Sequence, residues 1–143
     1  MNIVVQKYGG SSVATKEKID IISNNLIEEY NKGNGVVCVV SAQGKTTDKL
    51  VNLAREYVGE DTKNYTKEMD MLLSTGEIQT VALLTMTLKN KGYDALGFTG
   101  GMAGIITDSN YSNAKILSIV PDNILNNINN GKIIVVARFS RNR

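Results

Sequence analysis

The stretch that decides the fold is residues 36–48, which read VVCVVSAQGKTTD. Residues 36–40 form an unbroken and mostly β-branched apolar run, which is typical of a strand covered on both faces in a parallel sheet. A turn follows, and Leu50 to Tyr57 then place apolar residues at helical spacing. A buried strand, a turn and a helix in succession indicate an α/β fold.

The same order recurs along the rest of the chain. A short strand at 3–5 runs into Gly9 and Gly10, and an apolar stripe predicts a helix from Thr15 that ends at Gly33. The remaining elements are predicted as helices at 69–73 and 78–88, strands at 93–98, 104–107 and 114–120, a helix that starts at Pro121 and closes at Gly131, and a strand at 133–137. The helix at 78–88 is apolar nearly all round and is predicted to be deeply buried. Together these elements predict a three-layer α/β fold, with a mostly parallel sheet and helices on both faces.

The amino-acid composition excludes several classes of reaction and of metal site. The 143 residues amount to one domain, and they contain no His and a single Cys, Cys38. His-based triads, His-ligated metals and Cys-rich zinc sites are therefore excluded. A net charge of +2 with scattered cations predicts no nucleic-acid partner, and no apolar run suggests a membrane partner. One free Cys fits a reducing cytoplasm, and phosphoryl transfer remains possible because it depends mainly on positioning and charge stabilisation.

The first candidate motif is KYGGSS at 7–12, between the first strand and the first helix. Glycines there let backbone amides approach phosphate oxygens, and Lys7 would add a positive charge at the same place. The alternative is a tight Gly-Gly turn with a surface lysine and a Ser helix cap.

The other motifs also follow strands or precede helices. In SAQGKTTD at 41–48, the hydroxyls of Ser41 and Thr47 could hold a carboxylate, or Thr46 or Thr47 could simply cap the next helix. In LLSTGE at 72–77, Glu77 would head the buried helix, as a complement to the helix dipole or as a partner for a ligand's ammonium group. The glycines of FTGGMAGIITD at 98–108 are typical of a sharp hairpin.

In this order, KYGGSSV, VSAxGKTTDxL, LSTGE and TGxxAGIxTD closely resemble the aspartate kinases of the amino-acid kinase superfamily, over residues 2 to 139. The resemblance implies the N-terminal part of the amino-acid kinase fold and a parent enzyme that phosphorylates the β-carboxylate of L-aspartate with ATP and Mg²⁺. It implies that Lys7 neutralises the transferring phosphoryl group and that Glu77 accepts the ammonium group of aspartate. It further implies a phosphate cradle at Lys7, Tyr8, Gly9, Gly10 and Ser11, and an aspartate site lined by Ser12, Ser41, Thr47 and Glu77.

Three departures qualify this resemblance. Gln43 stands where Met is common, Met102 stands where Gln is frequent, and the end of the chain reads ARFSRNR where the family has AGFQG. Residues 1–137 are therefore predicted to be the amino-acid-binding part of a catalytic domain, and 138–143 an aberrant tail. One inserted base in a Phe-Gln-Gly-Ile coding stretch would produce Phe-Ser-Arg-Asn, although a genuine short chain with a basic tail is the alternative.

The resemblance stops before the family's nucleotide-binding portion. The expectation is therefore a truncated aspartate kinase that is inactive alone and that self-associates through uncovered apolar surface. Two other hypotheses stay open: a non-catalytic module that binds a ligand or a kinase chain, and a kinase assembled from this chain and a separate one.

Overall fold

The computed structural model describes residues 1–99 and 122–138. The strands predicted at 104–107 and 114–120, most of the fourth motif and residues 139–143 lie outside the described residues.

Within these described residues, four parallel strands form one sheet in the order β1-β2-β4-β3. Their carboxyl ends lie at one edge, which we call the carboxyl edge, because Tyr8 is in register with Val40 and Val40 with Ala137. The strands are β1 (Ile3–Tyr8), β2 (Gly35–Val40), β3 (Ala95–Phe98) and β4 (Ile133–Ala137). The predicted parallel sheet is confirmed, and β2 and β4 are buried along their whole length.

Helices cover both faces of this sheet, as predicted. The helices are α1 (Lys16–Asn31), α2 (Thr46–Val58), α3 (Thr66–Asn90) and α4 (Asp122–Asn129), with short 3₁₀ turns at Gly10–Val13 and Lys63–Tyr65. One core cluster joins α1 and α3 to the sheet and includes Leu26, Cys38 and Leu84. The second joins α4 to the opposite face and includes Val39 and Ile124. This arrangement gives the three layers of the predicted fold.

The prediction of two separate helices over 69–88 is wrong, since α3 runs unbroken through the STGE motif. The hydroxyls of Ser74 and Thr75 donate to the carbonyls of Met71 and Leu72, each at 2.7 Å, so these residues are accommodated within the helix. Gly76 does not end the helix either. A Cβ there would lie 2.9 Å from the Cβ of Ala42, so the glycine permits a close approach between α3 and the loop after β2.

The prediction that the segment 78–88 is deeply buried is also wrong. Val81, Leu84 and Leu88 are buried, but Ile78 is 43% and Met86 57% exposed. The helix therefore buries one face although its sequence is apolar nearly all round. By length and composition alone, the stretch Lys63–Asn90 could cross a membrane, a property that core helices of globular proteins share.

Candidate active site

The turn after β1 is tight and hydrogen-bonded. Lys7 is exposed near the end of β1, and Gly9 then leads into the 3₁₀ turn with an extended backbone, φ −80° and ψ 177°. The amide of Ser12 donates to the carbonyl of Gly9 at 3.0 Å, and the side chains of Ser11 and Ser12 are exposed. The predicted serine cap is not found, because Thr15 is the residue whose side chain caps α1, accepting from the amide of Lys18.

The loop after β2 is fastened to this turn. The amide of Gly44 donates to the carbonyl of Gly10 at 2.8 Å, and the amide of Ser41 donates to the carbonyl of Tyr8 at 3.3 Å. A Cβ on Gly10 would lie only 3.0 Å from the carbonyl oxygen of Ala42. The first two motifs therefore form one continuous surface at the carboxyl edge of the sheet, where ligands of α/β proteins bind.

The predicted threonine cap of α2 is absent. The helix begins at Thr46 as expected, but Lys45 is its N-cap residue and no side chain closes the cap. Asp48 lies in the first turn, where it complements the helix dipole. Thr47 is exposed, and Ser41 before the helix is half-buried.

Helix α3 brings the third motif to the same place. Besides Ala42, a Cβ on Gly76 would approach the methyl group of Thr46 to 3.0 Å. Glu77 follows at once and is 7% exposed. It lies in the interior of a 25-residue helix, so the interpretation of Glu77 as a complement to a helix amino terminus is wrong. What remains is a buried carboxylate next to the loop after β2.

Two lysines, Lys7 and Lys18, lie near the turn after β1. By strand alternation Lys7 points to the same side of the sheet as Ile3 and Val5, which is the α4 side, whereas Glu77 lies on the α3 side. The amine of Lys18 donates to the carbonyl of Ser11 at 2.7 Å. Sequence reasoning missed Lys18, because a lysine in the first turn of an exposed helix carries no distinguishing pattern.

Burial favours the neutral forms of Tyr8 and Cys38, which lie on neighbouring strands. Burial raises the pKa of the Tyr8 phenol, and its hydroxyl donates to the side-chain oxygen of Gln6 at 2.5 Å. Burial also raises the pKa of the Cys38 thiol far above its ordinary value, so this thiol is not a reactive nucleophile. Within residues 1–99 and 122–138, no three Asp, Glu or Cys side chains group in a way that could hold a metal ion.

A glycine-rich turn, a hydroxyl-bearing loop and a buried carboxylate thus lie at the carboxyl edge of a three-layer sheet. A model of the amino acid kinase family matches residues 2–142, and the chain belongs to that family.

Within the family, the chain is similar to the aspartokinases. Those of a Bacillus species and of Geobacillus stearothermophilus are each 50% identical over 139 residues, and aspartokinase 2 of Bacillus subtilis is 48% identical. The match covers 97% of this chain but 33% of each relative, so the chain spans about a third of their length.

Solved structures agree on the fold. The aspartate kinase of Synechocystis superimposes with a TM-score of 0.75 at 38% identity, over 96% of this chain and 22% of that one. Aspartokinase III of E. coli superimposes with a TM-score of 0.67 at 16% identity, over 96% of this chain and 40% of that one. At that identity the second likeness shows the fold alone.

Proposed function

We propose that this chain forms the aspartate-binding part of an aspartate kinase, whose reaction transfers the γ-phosphoryl group of ATP to the β-carboxylate of L-aspartate. The observation that carries the proposal is the junction of three motifs, made by the Gly44–Gly10 hydrogen bond and the packing of Gly76 on Ala42. The similarity to aspartokinases supports the choice of substrate, and the E. coli structure was solved with aspartate and ADP.

In this proposal each group has a definite role. The hydroxyls of Ser12, Ser41 and Thr47 hold the carboxylates of aspartate, and the buried carboxylate of Glu77 accepts its ammonium group. The amides of the turn at 8–11 cradle phosphate oxygens, and Lys7 balances the negative charge that these oxygens carry. Mg²⁺ would arrive on the phosphates of ATP, where it neutralises charge.

Binding of L-aspartate to the ¹⁵N-labelled chain tests the proposal. Aspartate is expected to shift the amide resonances of Ser12, Ser41 and Thr47. Glu77→Gln is expected to weaken binding at least tenfold, because a hydrogen bond to a charged group contributes about 1.5–3 kcal/mol. The matched control is Glu28→Gln, which removes an exposed carboxylate on α1 that pairs with Lys32.

Because Glu77 is buried, Thr47→Val provides an independent variant at an exposed position. It removes one hydroxyl, and we expect a several-fold weaker affinity with an unchanged melting temperature. Unaltered affinity in both Glu77→Gln and Thr47→Val would contradict the proposed site.

We also propose that the 143-residue chain alone does not turn over, since a kinase must position both reactants to gain rate. A hydroxamate assay for aspartyl phosphate is expected to show no more product than a Lys7→Ala control, and turnover above that control would contradict the proposal.

Self-association is a further part of the proposal. A groove of about 860 Å³ runs between α1 and α3, and its lining includes Ile21, Leu83 and Met86, which are all exposed. Exposed apolar surface of this kind recruits partners. Light scattering is expected to show assembly at micromolar concentration, and a uniform monomer over that range would argue against it.

A further inference from the structure

Gln43 links the three segments that form the candidate site. Its amide nitrogen donates to the backbone carbonyl of Val13 at 2.9 Å, where the turn after β1 ends. Its side-chain oxygen accepts from the amide nitrogen of Gln79 in α3 at 3.3 Å. One side chain thus connects the loop after β2 to the turn on one side and to the helix on the other.

The orientation of this amide follows from its partners. A backbone carbonyl can only accept, so the NH₂ group of Gln43 must face Val13. The oxygen of Gln43 is then left for Gln79, which can donate from its own NH₂ group. The positions of the NH₂ group and of the oxygen are therefore both fixed by their partners. Neither a carboxylate nor a thioether of similar length could make both contacts.

We propose that Gln43 is a positioning residue for the aspartate site, an inference that rests on the proposed function. It lies between Ser41 and Thr47 in the loop, and Gln79 is two residues beyond Glu77 in α3. Gln43 holds these groups in register with the glycine turn without touching the ligand itself. Small displacements of ligand-holding groups have large effects on binding and rate, so loss of this link reduces affinity.

Two substitutions separate the contacts. Q43M keeps the approximate length and removes both hydrogen bonds. Q43E keeps an acceptor for Gln79 but places a carboxylate oxygen against the carbonyl oxygen of Val13, which repels it. We expect hydrogen exchange of the Gly44 amide to accelerate about tenfold in Q43E and less in Q43M, with a parallel loss of L-aspartate affinity.

The pH dependence of Q43E provides a signature specific to this contact. A carboxyl group facing a carbonyl oxygen is better tolerated when neutral, since it can then donate a hydrogen bond, so its pKa is raised in the folded protein. The destabilisation is therefore fully present above the folded-state pKa, and it is relieved as the pH falls from that pKa to about 4.3, the ordinary value for Glu in the unfolded chain. Thermal melts should show the deficit of Q43E shrinking at low pH, whereas that of Q43M should not follow this pattern.

Tyr30→Phe is the matched control. The Tyr30 hydroxyl donates to the backbone carbonyl of Gly131 at 2.8 Å, which ties α1 to the turn after α4 at the opposite edge of the sheet. Loss of this hydrogen bond is expected to lower stability without changing aspartate affinity or Gly44 exchange, which distinguishes positioning from a general loss of stability.

Each result has one meaning. Faster Gly44 exchange together with weaker aspartate binding in the Gln43 variants supports the proposal. Unchanged exchange and affinity in both variants overturns it. If L-aspartate shifts no resonance of the unmodified chain, the proposed function fails. In that case the exchange rate of the Gly44 amide in the Gln43 variants tests by itself whether Gln43 holds the loop. An unchanged exchange rate would again overturn that role.

Discussion

The glycines that end helices at the amino edge of the sheet and Gly10 at the carboxyl edge serve different physical purposes. At the amino edge, α1, α3 and α4 each end near a glycine with positive φ, namely Gly33 (90°), Gly92 (92°) and Gly131 (84°). At the carboxyl edge, Gly9 and Gly10 do not have positive φ, and Gly10 is needed because a Cβ would press on the carbonyl of Ala42. The first set permits a backbone conformation, whereas Gly10 permits a close approach between two loops.

The polar side chains at the two edges of the sheet also differ, in whether they are bonded within the protein or exposed. At the amino edge, Lys91 donates to Asp20 at 2.6 Å, to Ser23 at 2.6 Å and to Asn24 at 2.9 Å, which ties the end of α3 to α1. At the carboxyl edge, Ser12 and Thr47 keep exposed hydroxyls. These polar side chains at the amino edge are thus bonded to one another and contribute to stability, whereas the carboxyl edge presents polar groups that a ligand can reach.

The largest effect is expected from Gly10→Ala. The added methyl group meets backbone oxygens of Ala42 and Gly44 at 3.0 and 3.2 Å, which cannot move unless the whole loop shifts. Overpacking of this kind costs about 1–3 kcal/mol, and we expect about 2 kcal/mol in the free energy of unfolding, measured by urea denaturation.

The neighbouring glycine is the control. Gly9→Ala adds a methyl group that meets nothing within 4 Å, at an ordinary φ of −80°. Its stability should be unchanged or slightly higher, because the unfolded chain loses conformational freedom. Equal destabilisation by Gly9→Ala and Gly10→Ala would refute the close-approach explanation.

A smaller loss is expected from Lys91→Met at the amino edge. The substitution keeps the apolar stem but leaves fully buried Ser23 without its lysine partner. Because Lys91 is partly exposed and screened by solvent, we expect a loss of about 1.5 kcal/mol in the free energy of unfolding, with no effect on aspartate binding. Lys89→Met, at an exposed position on the same helix, should have little effect; a comparable loss there would show that the network around Lys91 contributes nothing specific.

The smallest effect is expected from Gly33→Ala, at about 1 kcal/mol, because a left-handed backbone is unfavourable for a residue with a Cβ. Asn tolerates this conformation better, so Gly33→Asn should lose less than Gly33→Ala in the same thermal melts. Gly10→Asn should instead lose more than Gly10→Ala, since its side chain is larger. If both positions ranked Ala and Asn in the same order, Gly33 and Gly10 would serve the same purpose.

Much of this architecture is predictable from local sequence. Residues 36–40 and 133–137 are continuous apolar runs, and both are strands buried along their length. Thr15 and Gly33 also mark the bounds of α1 closely. These features are predictable because burial on both faces, capping and left-handed turns each require particular residue types within a few positions.

The STGE segment was not predictable in the same way. Local rules treat Ser, Thr and Gly as residues that interrupt helices, which led to a predicted break before Glu77. The helix continues because the hydroxyls bond to its own carbonyls and because Gly76 packs on Ala42, a residue 34 positions away in the chain. Contacts at that separation leave no periodic pattern in either segment.

The sequence by itself determined the class of fold, the order of its elements and the residue types available for chemistry, since hydrophobic periodicity and composition act locally. Only the tertiary structure decided which groups meet at the carboxyl edge. The Gly44–Gly10 hydrogen bond and the two contacts of Gln43 join segments that lie about 30 or more residues apart. Such contacts depend on strand order and on the packing of α3 against the loop after β2, which no local pattern specifies.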